Sequence, residues 1–307
     1  MDRQNIIEIR NSLEENIVKL NNNVLTKFPK DKYVGYLKSY PRISTYGYVS
    51  REIESLCKNL LNESSEQALE VYHKLILVEL MIQALENLKF KRFPSEIEQL
   101  YEINFDRILQ GVKSGEFTGF YNYSHDMFKK DLALCNMKLI PAGAQKLNLA
   151  RVPRKFLFRN GARQFLRGLV YIITELRGTT LFDMHTDSYD RNLLAEFTEE
   201  GWRAFLRRTA ELLELYPDVK GVFGSAWVVD PKIEEISPRL GYVRRLFTEC
   251  GGVHFFNGIS ATGIQDAIAK SATRKQLYET GKYMPRNYLS IVSRRRLIAW
   301  AKRGGNR

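Results

Sequence analysis

Only three cysteines occur in the 307 residues (Cys57, Cys135, Cys250), far apart and odd in number. Neither a disulfide framework nor a Cys-pair zinc site can be built from them, and a reducing, cytoplasmic setting is the expectation. Long apolar runs are also missing: none approaches the roughly 18–20 residues that a membrane span requires. The start, Met-Asp-Arg-Gln-Asn, lacks the basic-then-apolar order of a secretion signal. Gly-x-x-x-x-Gly-Lys-Ser/Thr is absent, and no Gly-x-Gly-x-x-Gly follows a strand, so phosphate-loop and dinucleotide chemistries have no fingerprint here. Ser225, in Gly221-Val-Phe-Gly-Ser-Ala, lacks the Gly-x-Ser-x-Gly spacing of a hydrolase nucleophile.

Acid is missing from two long stretches. Residues 132–174 hold eight Lys/Arg and 286–307 hold seven, with no Asp or Glu in either. The chain as a whole is +12, so everything outside those stretches sums to −3. Basicity gathered in this way suits a phosphate-bearing partner: a nucleotide-linked cofactor, a nucleic acid such as tRNA, or an acidic carrier such as an acyl carrier protein.

Periodicity divides the chain into a helical region, 1–137, and an α/β region, 138–307. Ile6, Ile9, Leu13, Ile17, Leu20 and Val24 recur at three- and four-residue steps and line one helix face. An aromatic, turn-rich piece follows up to Tyr48. Helices are expected at 49–62, 65–90, 95–112 and 126–136, with the second apolar on most sides and therefore central. After Pro141-Ala-Gly-Ala the pattern changes to strand 144–152, helix 160–177, strand 179–186, helix 193–216, strand 221–229, helix 232–249, strand 252–258, helix 263–281 and strand 287–292. Gly178, Gly221 and Gly281 fall just past helix ends, where a left-handed residue is needed. The fold class read from this order is α/β (α+β overall), a helical region followed by a mixed sheet with substantially parallel pairing.

Asp183-Met-His185-Thr-Asp187 is the leading candidate site. Residues two apart on a strand share a face, and these sit at its carboxyl end, where open α/β sheets place ligands. A carboxylate beside an imidazole fixes its tautomer and raises its basicity. A metal reading is formally available from His185, Asp187 and His254, the set used by non-haem iron enzymes. The strongly helical 193–216 segment is foreign to the all-β barrels that carry that set, so no metal is expected. Ser237-Pro-Arg239-Leu-Gly241-Tyr-Val-Arg244-Arg245 reads as a capped helix start, whose N–H groups with Arg239, Gly241 and Arg244 offer a phosphate site.

The run Leu277-Tyr278-Glu279-Thr280-Gly281-Lys-Tyr283, one residue short of a Leu-Tyr-x-x-x-Gly-Phe ending, resembles the close of the GCN5-related N-acetyltransferase (GNAT) fold. The order helix 232–249, strand 252–258, helix 263–281, strand 287–292 is similar to that fold's second half. The resemblance implies an acyltransferase-like domain and a transferase activity with acyl-CoA or a similar thioester as donor and an amine as acceptor. In it Tyr278 would protonate the departing thiolate while His185, oriented by Asp183 or Asp187, takes the amine proton. The family's Arg/Gln-x-x-Gly-x-Gly/Ala loop has no full counterpart; Pro238-Arg-Leu-Gly241 is a fragment of it. The alternatives are the metal-dependent enzyme and a basic nucleic-acid-binding or scaffold protein without chemistry. No helix-turn-helix, zinc finger or RNA-recognition motif supports the last.

Overall fold

The computed structural model describes residues 3–41, 50–91, 93–186 and 195–304, apart from the side chains of 89–91. The chain divides into two compact units, Met1–Pro141 and Ala142–Arg307. The first contains α1 (Arg3–Leu20), α2 (Val24–Lys27), α3 (Lys30–Ser39), α4 (Arg51–Glu63), α5 (Glu66–Lys91), α6 (Ser95–Lys113), α7 (Asp126–Cys135) and the short strand β1 (Leu139–Pro141). Four successive residues of α5, Leu75 to Val78, are fully buried, so this helix is covered on all sides by its neighbours. Ser50 caps α4, its hydroxyl accepting from the Ile53 N–H at 3.3 Å. Part of the aromatic piece expected as turns is helical: α3 buries Tyr33, Val34 and Leu37 on one side.

The second unit holds β2 (Gln145–Arg151), α8 (Gly161–Tyr171), β3 (Thr180–Thr186), α9 (Glu199–Leu215), β4 (Gly221–Ala226), α10 (Ile233–Ile236), α11 (Tyr242–Glu249), β5 (Val253–Gly258), α12 (Ala261–Ala269), α13 (Ala272–Glu279), β6 (Asn287–Ser293) and α14 (Arg294–Lys302). Its strands lie in the order β2-β3-β4-β6-β5. The sheet is mixed, as expected, but among these described pairings β3 and β4 alone run parallel; β2/β3, β4/β6 and β5/β6 are antiparallel.

Register assigns the two faces. Leu181, Phe223, Ile291, Leu289 and Phe255 share one core with Phe156, Leu157 and Tyr171 beneath α8. Asp183 pairs with Phe223, which pairs with Ile291, so Asp183 and His185 point to this same face. The opposite face carries Met184, Gly224, Ser290 and His254. A Cβ on Gly224 would lie 2.3 Å from Met184 Cε, the close approach that the glycine permits.

Two of the helical stretches are interrupted, the first at the Ser237-Pro238 step that signals a break in the sequence itself. Residues 232–249 form α10, a 3-10 turn Pro238–Leu240 and α11, because Pro238 cannot continue the ladder. Residues 263–281 break at Ser271, whose hydroxyl accepts from the Arg274 N–H and starts α13 afresh. After α8, a π turn Ile172–Leu176 ends on Arg177, not Gly178, in the left-handed conformation (φ 50°); Gly281 does take it (φ 70°).

Candidate functional site

Asp183 and His185 project from the carboxyl end of β3 toward β2. Asn148, level with Asp183, and Lys146, level with His185, share their face. Asn148 is buried and its Oδ1 lies 2.5 Å from His185 Nε2. An amide oxygen only accepts, so Nε2 carries the proton and Nδ1 is the basic atom of the neutral ring. Asp183 Oδ2 stands 3.6 Å from the same nitrogen. Burial pushes the Asp183 carboxyl up to about 7, against a smaller lowering by the Met184 backbone N–H. A carboxyl raised by burial beside an imidazole whose tautomer is fixed is an arrangement chemically able to support acid–base work. Asp187, the third residue of the motif, lies outside the described residues.

On the same face, at the level of His185, Ser225 Oγ accepts from Asn257 Nδ2 at 2.8 Å. Beyond them a hollow of about 410 Å³ is lined by Asn160, Arg163, Gln164, Arg167 and Phe255. Phe255 pairs with Leu289 and Leu289 with Ser225. Three strand spacings therefore separate His185 from Phe255, about 14 Å. Gln164 fixes the hollow's wall. Its Nε2 donates to Phe156 O (2.6 Å) and Phe256 O (2.8 Å), and its Oε1 accepts from Phe256 N–H (2.9 Å). That amide satisfies the outer backbone edge of β5, which would otherwise be open to pairing. Arg167 stands 5.4 Å from the Phe255 ring centre.

The other candidates lie apart from this pair. Arg244, on α11, donates Nη1 to Val229 O at 2.7 Å, and Gly241 donates its N–H to Pro238 O at 3.1 Å; Arg239 is exposed. Ser237, expected as a helix cap, instead accepts from Arg274 Nη1 at 3.0 Å. Arg274 also stacks 4.7 Å from the Trp227 ring and thereby holds α13. Tyr278 is half-buried on α13. Its helix follows β5 and precedes β6 in the chain, and the groups that hold it are separate from those that hold His185.

The ligand set His185–Asp187–His254 is corrected by the register. His254 pairs with Ser290, on the face opposite His185 and three strands away, so one ion cannot reach both rings. His254 is held by Ser290 Oγ (2.8 Å) and Thr248 Oγ1 (3.0 Å), and burial with nearby Arg244 and Arg167 takes its pKa down to about 3. Among the described residues no group of three or more His, Cys, Asp or Glu could hold a metal.

Asn148, Gln164 and the hollow's Arg163 and Arg167 were not singled out from sequence. The alternation Lys146-Leu-Asn148-Leu, which places both polar side chains beside Asp183 and His185, was the available signal.

Neither a protein-family model nor a curated protein matches the sequence. Among solved structures, the chain is similar to an acyltransferase in complex with decanoyl-CoA and teicoplanin: 11% identity, 76% of this chain and 68% of that one, TM-score 0.44. An acyltransferase in complex with decanoyl-CoA matches at 12% identity over 86% and 75% of the two chains, TM-score 0.44. An acyltransferase mutant in complex with octanoyl-CoA matches at 9% over 86% and 87%, with the same TM-score. At that level of likeness, function has to come from this chain's own residues.

Proposed function

We propose that the 142–307 unit is an acyltransferase that moves an acyl group from a CoA-type thioester to an amine. The observation that carries the reading is the Asp183–His185 pair, tautomer-fixed by buried Asn148, on the same sheet face as the basic hollow of Arg163 and Arg167. An extended phosphopantetheine arm spans a gap of about 14 Å, three strand spacings. The donor's phosphates sit against Arg163 and Arg167, its arm crosses Asn257 and Ser225, and its thioester reaches His185.

In the reaction, His185 Nδ1 takes a proton from the acceptor amine as its nitrogen attacks the thioester carbonyl. The N–C bond forms, the C–S bond breaks, and the departing thiolate takes a proton from the Tyr278 hydroxyl. Asp183, in its ionised form above about pH 7, stabilises the imidazolium while the ring carries the extra charge. Acid–base assistance of this kind contributes on the order of 10²–10⁴-fold, and positioning supplies much of the rest. This arrangement places the phosphates on α8 in preference to Arg239, Gly241 and Arg244, because the Gly241 N–H and the Arg244 guanidinium already have protein partners.

The test is thiol release from a panel of acyl-CoA thioesters in the presence of primary amines. Amine-dependent release is expected, lowered on the order of 10²-fold in His185→Ala and lowered also in Tyr278→Phe, with melting temperatures unchanged. Full activity in both variants overturns the mechanism.

A further inference from the structure

Helix α8 has two surfaces beyond the one packed on the sheet. Gln164, Gly168 and Tyr171 face inward and are buried. On the far side, Leu166, Leu169, Val170 and Ile173 follow at helical spacing and face water: Ile173 is 63% exposed, Leu166 60% and Val170 57%. Phe158, 74% exposed, stacks on Phe165 at 5.4 Å and extends the stripe past the helix start. Large apolar side chains at such exposures are common singly; a continuous helical stripe of them marks a surface that something covers.

The surroundings of the stripe identify what covers it. Arg151, Arg154, Lys155, Arg159, Arg163 and Arg167 all lie exposed along the same segment, with Arg177 at its far end. None of these seven has a carboxylate within ion-pair distance among the described residues. The segment 132–174 contains no acid of its own to neutralise them. A second copy docking stripe to stripe would bring the same unneutralised arginines together. A negatively charged surface with an apolar interior satisfies both features at once, and the interface of an anionic phospholipid bilayer has that combination. No described helix is long and apolar enough to cross a membrane, so α8 would lie along the surface.

We propose that α8 and the preceding 151–160 segment form a peripheral membrane-docking face, with Phe158, Leu166, Val170 and Ile173 entering the headgroup–acyl boundary of an anionic phospholipid bilayer. Arg151, Arg154, Lys155 and Arg159, exposed and outside the lining of the α8 hollow, contact the lipid phosphates and set the dependence on anionic lipid. The proposal stands on the exposed stripe and its charges and does not require the acyl-transfer reading.

Flotation of the full chain with extruded vesicles tests it. Vesicles of phosphatidylcholine with 30% phosphatidylglycerol (about 30% anionic, chosen by analogy with anionic leaflets) should carry the protein, and pure phosphatidylcholine should carry at least tenfold less. Leu166→Ser with Ile173→Ser should cut binding to the anionic vesicles at least tenfold while circular dichroism and melting temperature stay those of the wild type, since both side chains face water. As an independent readout, Leu166→Trp should show a blue-shifted emission on adding anionic vesicles, quenched by lipids brominated near the headgroup end of the chain. Absence of flotation, binding untouched by the double serine change, or an unshifted Leu166→Trp emission each overturns the proposal. So does a dimer in sedimentation equilibrium that the double serine change converts to monomer, because a second copy would then be the occupant. An unchanged thiol-release rate in the double serine variant keeps this outcome separate from that of the proposed reaction.

Discussion

Asp183 holds its proton in the folded chain up to about pH 7, whereas an unperturbed aspartate releases it near 3.8. Between those values the native state binds more protons than the unfolded one, so this group lowers stability progressively as pH rises from about 4 to about 7. Asp183→Asn keeps the shape without the charge. Its melting temperature relative to the wild type should therefore be higher at pH 8 than at pH 4; a gap that is the same at both values contradicts the burial argument. The cost is tolerated at a site whose neighbour, His185, is aimed by a buried amide. Functional positions are where a chain departs from the cheapest choice of residue. The side chain most directly responsible for the aim, Asn148, was invisible to motif reasoning because asparagine in a strand carries no catalytic signature by itself.

At the scale of elements, the contact between α8 and the 3-10 segment Lys155–Phe158 sets where the basic hollow lies. Gly168 allows it: a Cβ there would come within 2.5 Å of Leu157 Cδ2 and 2.9 Å of Phe156 Cε2, both in the packed core. Gly168→Ala should cost about 1–3 kcal/mol through overpacking, measured as a drop in urea midpoint, and should displace the hollow's arginines. An unchanged midpoint would show that the core has room to yield. The position of α8 and of the strands was legible in advance because apolar period and turn residues agree there. Residues 145–151 and 180–186 came within a residue or two of expectation. What was not legible was pairing. Alternating strand and helix suggested parallel neighbours, but β6 inserts antiparallel between β4 and β5, a choice made by tertiary packing and not by any local signal. That insertion, together with the period of two, is what turns His254 away from His185. The break at Pro238 is legible because proline cannot continue a helix, whereas the break at Ser271 is not, because an amphipathic pattern runs on across a break that only the backbone registers.

Over the whole molecule, proton linkage has a definite sign. His73, in the first unit, is enclosed by Tyr33, Cys57 and the Tyr121 carbonyl, and burial lowers its pKa to about 4. His254, in the second, is lowered to about 3. Both stay neutral when folded, while the unfolded chain takes up their protons near the ordinary 6.5. Asp183 and Asp230, raised by burial, oppose them, while Glu175, held down to about 2 by Arg296 and Arg295, acts with them, and acidification from pH 6.5 toward 4 should lower the melting temperature. His254→Gln, which can keep hydrogen bonds without titrating, should flatten that slope for the second unit; an unaltered slope contradicts the assignment. The same scale governs ligand capture. With +12 overall and the excess gathered in two acid-free stretches, binding of a phosphate-bearing donor should weaken as salt rises. Steady-state kinetics of acyl-CoA turnover at fixed amine separates the two parts of the site most directly. His185→Ala should lower kcat on the order of 10²-fold with KM for the donor little changed, and Arg163→Glu with Arg167→Glu should raise KM at least tenfold with kcat nearly intact. If both variants alter the same constant, or neither alters any, the donor does not bridge the α8 hollow and the end of β3.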